Sequence, residues 1–246
     1  MNRKEIPLLV LILLWLVPTV GAASGELQAQ AQLLMKTPDV TISGTYEMQT
    51  WPDVLESILR TPILLARLWE VYEFTPLYKA RLQGEGIHVD DPTGIAGDIF
   101  LVEQSGNRRI YVGNGALNHK LVPSFRGKMA LVLTATPKGS AVSARIDVYI
   151  RTDSRVLGFL TRTMFPLVKT RALHRMTANA TDIGTILKDL SNAPQKTAAR
   201  LKKEDAAALL KILPQPPQAV PAVAKTQSPA KKTQSSPQKR KDAKKP

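Results

Sequence analysis

Three histidines, His88, His119 and His174, are the side chains of this sequence best suited to moving protons near neutral pH. No two of them stand at metal-ligand spacing, and no His-Glu-x-x-His motif occurs. His119 follows Gly115-Ala116-Leu117-Asn118 at the end of a strand-like segment. That makes it the one candidate general base, or polar anchor, against the plainer role of a solvated histidine. His174 stands among Lys169, Arg171 and Arg175, on the expected solvent side of a helix. His88 lies near Asp90 and Asp91 and reads as part of a surface pair.

Other chemistries are poorly served. The chain has no cysteine, so thiolate catalysis, iron–sulfur clusters and cysteine zinc sites are excluded. Asp90-Asp91-Pro92-Thr93-Gly94 has a turn composition and lacks the alternate ligands and distal glutamate of a calcium loop. The glycines at 84, 86, 94, 97, 113 and 115 are not followed by Lys-Ser/Thr before a helix, so they are bends of a curved sheet rather than a phosphate loop. No Gly-x-Ser-x-Gly elbow occurs. Asn179-Ala180-Thr181 matches the glycosylation pattern but falls inside a helical segment. No metal or cofactor is called for.

What remains is apolar recognition. Trp69, Tyr72, Phe100, Tyr111 and Phe125, with His119, are the candidate ligand-binding residues, because aromatic walls with few polar anchors suit apolar ligands. Core packing is the competing role for each. Phe125, in the Val122-Pro123-Ser124-Phe125 loop, is also a candidate lid or membrane-touching residue.

The elements that must position these residues follow from periodicity. Val40, Ile42, Gly44, Tyr46 and Met48 alternate with polar residues, as in a half-buried strand. Trp51-Pro52-Asp53 ends it and opens a helix carrying Val54, Leu55, Ile58 and Leu59. Thr61-Pro62 starts a second helix with Leu64, Leu65, Leu68, Trp69 and Tyr72, closed by Pro76. Strand-like segments follow over 78–89, 95–103, 108–118, 128–136 and 141–151. In the last, Val142, Ala144, Ile146, Val148 and Ile150 share one face, which predicts an antiparallel sheet covered on one side. A helical stripe then runs from Val156 to Leu190, with Pro166 expected to kink or split it. Residues 24–39 read as a polar linker or short helix, and 193–213 as an amphipathic spacer or short helix.

The two ends differ in kind from the middle. Arg3 and Lys4 precede an uncharged apolar run from Ile6 to Val20 and the small residues Gly21, Ala22, Ala23 and Ser24. This is the pattern of a secretory signal, or of an uncleaved membrane anchor over residues 1–23. It predicts an exported protein, periplasmic or anchored to the outer face of the cytoplasmic membrane. From 214 to 246 the chain is proline, alanine, lysine, glutamine and serine, a composition that predicts disorder. This tail supplies about half of the formal net charge of +14. An anionic membrane or envelope surface is its expected partner, against a merely solubilising role. Nucleic acid is not expected, because no aromatic residue interleaves the lysines.

The element order, the Trp51-Pro52-Asp53-Val54 entry into a helix pair and the long C-terminal helix resemble the START-like superfamily over residues 40–192. The resemblance implies an α+β helix-grip fold: a curved antiparallel sheet of about six strands wrapped on a long C-terminal helix, with two short helices after the first strand. It further implies an apolar cavity for a hydrophobic small molecule or lipid. The expected function is therefore an exported or membrane-tethered carrier domain. A cyclase- or hydrolase-like enzyme using His119 and a ligand-free envelope adaptor are the alternatives.

Overall fold

The structure, a computed structural model, describes residues 25–92, 94–119, 122–153 and 155–214; the side chains of 117–119, 122, 123, 125, 155–168 and 171 lie outside that description. The signal-like segment and the basic tail lie outside the described residues. The chain begins there with helix α1 (Gly25–Lys36), strand β1 (Val40–Met48) and the helix pair α2 (Pro52–Leu59) and α3 (Pro62–Val71). Strands β2 (Lys79–Gln83), β3 (Gly86–Asp90), β4 (Ile95–Ser105), β5 (Arg108–His119), β6 (Val122–Lys138) and β7 (Ala141–Thr152) follow. Three helices complete it: α4 (Arg155–Asn192), α5 (Pro194–Ala198) and α6 (Lys203–Ile212).

All strand pairs are antiparallel, in the order β1-β7-β6-β5-β4-β3-β2. Seven strands form the sheet where about six were expected, because Gly84, at positive φ, turns the 78–89 segment into the β2–β3 hairpin. Helix α4 meets both ends of this order. Met176 lies beside Gly44 of β1, and Arg175 bonds to Tyr78, just before β2. The sheet is thus α+β and of the helix-grip type, curled until its two edges flank one helix.

Alternation gives each strand an inner and an outer face. Ile42, Leu131, Leu133, Ile146 and Val148 point inward, into a core shared with Leu55, Ile58, Leu65 and Leu68 of the helix pair. From α4 the core takes Ala172, Met176, Ala180, Ile183, Leu187 and Leu190, the second part of the expected stripe; its first part, Val156 to Val168, lies outside the described side chains. Prolines stand at the start of α2 and α3, where the missing N–H costs nothing. Helix α4 runs unbroken through Pro166, so the expected split does not occur.

Two boundaries differ from expectation. Residues 25–36 are a helix laid on the outer face, not a linker. Ala31 packs with Val102, Ile110, Val112 and Val132, joined by Leu27, Met35 and Phe100. At the other end, the 193–213 segment belongs to the core, through buried Ala198, Leu201 and Leu209. Arg200 stacks 4.0 Å over the Tyr72 ring and donates to the Val71 carbonyl at 2.6 Å.

Candidate functional site

Two arginine–tyrosine groups lie against the inner face, one buried and one half-buried, near opposite ends of the strands. Their difference locates the candidate site.

The first group is closed. Arg109 and Tyr111 are inward residues of β5, and the Arg109 side chain is only 2% exposed. Its guanidinium pairs with Glu56 of α2. Glu56 also accepts from Arg60 at 3.1 Å and from Gln104 at 3.3 Å. Burial pushes the Glu56 carboxyl up, but Arg109 and then Arg60 outweigh it and hold the pKa below the usual carboxylate range. Burial, opposed by Arg109 and reinforced by Glu56, pushes the Tyr111 hydroxyl far up. A buried charge with its partner in place ties helix to sheet and offers nothing to a ligand.

The second group is open. Tyr78 leads into β2, Asp91 follows β3, and Arg175, Asn179 and Asp182 lie on α4. At i and i+4, Arg175 and Asn179 share one face of the helix. Arg175 donates to the Tyr78 hydroxyl at 2.6 Å and to the Thr75 carbonyl at 3.2 Å. Burial drives the Tyr78 pKa far up, against a smaller downward pull from Arg175, so the hydroxyl is neutral at any physiological pH. Asn179 is 1% exposed. Its amide lies beside the Tyr78 hydroxyl, yet neither Oδ1 nor Nδ2 makes a geometrically sound hydrogen bond with the protein. Arg175 Nε is likewise buried and unmatched. Such groups cost about 1–3 kcal/mol each when nothing satisfies them.

On the same inner face, across the middle of the sheet, one row is poor in side chains. Val89, Gly97, Gly115, Gly127 and Thr152 form one cross-strand row over β3 to β7. A Cβ on Gly97 would meet the Asn114 carbonyl oxygen at 2.6 Å, and one on Gly115 the Ala96 carbonyl oxygen at 3.0 Å. These glycines let adjacent strands close up where the sheet bends. Around Gly127, no side chain among the described residues comes within 4 Å of a built Cβ. One row away the equivalent space is filled, by Met129 against Gly113.

The residues singled out from the sequence are dispersed. Trp69 is in the core beside Tyr78, rings 5.5 Å apart, with its Nε1 donating to the Pro76 carbonyl at 2.9 Å. It therefore borders the open group. Tyr72 is a strut, its hydroxyl donating to Asp189 at 2.6 Å; burial, then Asp189, raise its pKa. Tyr111 belongs to the closed group. Phe100 packs under α1 on the outer face, away from Trp69, Tyr72 and Tyr111. The side chains of His119 and Phe125 lie outside the described residues. His88 is on the outer face, bonded to Asp98 at 2.6 Å and Asp90 at 3.3 Å. His174 is exposed, as expected, but Arg175 beside it turns inward. Asn179 of the glycosylation pattern is buried in a helix. Among the described residues no group of acids and histidines is placed to hold a metal ion.

Known proteins resemble this chain in fold only. No family model matches it, and no curated protein does. Among solved structures, a conserved protein from Geobacillus kaustophilus is 14% identical, with a TM-score of 0.42, over 59% of this chain and 96% of that one. A START superfamily protein from Mycobacterium smegmatis is 13% identical, with a TM-score of 0.38, over 61% and 98%. Norcoclaurine synthase from Thalictrum flavum is 15% identical, with a TM-score of 0.40, over 60% and 86%.

Proposed function

We propose that this chain is a binding or carrier domain for a hydrophobic small molecule or lipid, exported or membrane-tethered, whose basic tail contacts an anionic envelope surface. The observation that carries the reading is the unmatched buried amide of Asn179, on the helix around which the glycine-bearing inner face of the sheet curls. Sites for apolar ligands pair apolar walls with one or two polar groups that orient what enters. Export is supported by Arg3 and Lys4, the apolar run to Val20 and the small residues behind it. Among the described residues no helix is long and apolar enough to cross a membrane. The tail reading rests on its eight lysines and arginines between Lys225 and Lys245.

Native mass spectrometry of the protein purified from its own membranes tests the carrier reading. A reproducible bound mass of lipid or hydrophobic metabolite size is expected. Ligand-free protein that also takes up nothing from added lipid extract sinks the reading. The tail is tested separately, by sedimentation with vesicles containing anionic lipid. Removing residues 215–246 should abolish a binding that weakens with salt.

A further inference from the structure

The open arginine–tyrosine group specifies more than a place. Resting on the carrier reading above, we propose that Asn179, Arg175 and Tyr78 hold the head of the ligand. That head is uncharged and both donates and accepts hydrogen bonds, as an alcohol or a primary amide does.

Asn179 presents an acceptor, Oδ1, and a donor, Nδ2, neither in a geometrically sound hydrogen bond and with the Tyr78 hydroxyl as their polar neighbour. Arg175 Nε adds another buried donor, while its two terminal nitrogens are held by Thr75 and Tyr78. A group that only accepts would leave Oδ1 unmatched, and a group that only donates would leave Nδ2 and Nε unmatched. An alcohol or primary amide answers both. Charge narrows the choice further. Arg175 already has the Asp182 carboxylate within electrostatic reach, and Asp91 acts on Tyr78 from beside it. A carboxylate head would add a third acid to these two, and an ammonium head would face the Arg175 guanidinium. Like charge disfavours both. Trp69, edge-on to Tyr78, closes the apolar side.

Titration calorimetry on the full chain, with four probes of one chain length, tests this. The probes are dodecan-1-ol, dodecanamide, dodecanoate and 1-chlorododecane. The alcohol and the amide should bind about tenfold tighter than the chloride, the effect of one or two well-made hydrogen bonds. They should also outbind dodecanoate by at least that factor. In Asn179→Leu the alcohol should fall to the level of the chloride, while the chloride itself changes less than about twofold. Asn179→Ala carries the same comparison if the leucine variant does not fold. Three results overturn the assignment: dodecanoate binding as tightly as the alcohol, an Asn179 variant that keeps the preference, or alcohol and chloride binding equally in the unaltered protein. The last would mean that an ordered water alone satisfies Asn179. If none of the four binds, the carrier reading fails along with the head-group site.

Discussion

The two arginine–tyrosine groups on the inner face use the same residue types to opposite ends. Arg109 is buried and matched: Glu56 reaches it from α2, and its neighbour Tyr111 sits in a filled core. Arg175 is held by a carbonyl and a phenol, but one of its donors and the whole Asn179 amide are left unmatched. Around the first group the sheet presents Leu131, Leu133 and Ile146. Toward the strand ends nearer the second it presents Gly97, Gly115 and Gly127. A satisfied polar pair inside dense packing is architecture. An unsatisfied one leaves donors and acceptors that a bound group could match.

The contrast can be tested at both ends. The largest effect belongs to the closed end: Leu131→Ala should cost about 3 kcal/mol in urea unfolding, since a fully packed site collapses poorly onto a cavity. A cost below about 1 kcal/mol would mean that this end is not close-packed. Next, Glu56→Leu should cost about 2 kcal/mol by leaving Arg109 buried and unpaired. This pair also has a pH signature. The folded pKa of Glu56 lies below its unfolded value. Its stabilisation is therefore complete above the ordinary carboxylate pKa and fades as the pH falls through that range. Glu56→Gln should flatten the acid limb of a plot of Tm against pH and leave the alkaline limb unchanged. An unchanged acid limb would show that the pair is not formed. The smallest effect should have the opposite sign. Asn179→Leu, at the open end, should raise the stability of the ligand-free protein by about 1 kcal/mol, because it removes an unmatched buried amide. A loss of 1 kcal/mol or more by thermal melting would place Asn179 with the architectural residues and erase the difference between the two ends.

Much of the fold is legible in the sequence because it rests on local patterns. The alternation in β1 and β7, the prolines opening α2 and α3, and the stripe from Ala172 to Leu190 each report one element's own burial. The outer cover was harder to read. In α1 the apolar residues Leu27, Ala31 and Leu34 do recur at helical steps, but glutamine and alanine dilute the signal. The open group was not legible at all. Arg175 stands close to exposed Lys169 and His174 in the sequence, and only the curl of the sheet brings Tyr78 up to it. Phe100 was misleading for a related reason. Its strand position fixes a face, and the sequence alone does not say which face α1 will cover.

The pairing of the first strand with the last has a kinetic consequence. Val40 of β1 finds its partner in Ile150 of β7, and the two are about 110 residues apart in the chain. During synthesis, β1 must wait unpaired until β7 has emerged. The helix that bridges the two edges comes later still. Ring closure of this length is entropically slow, so assembly of the domain should be limited by one late, cooperative step. Until then the apolar half of β1 is exposed, and that interval is when the chain most needs a chaperone.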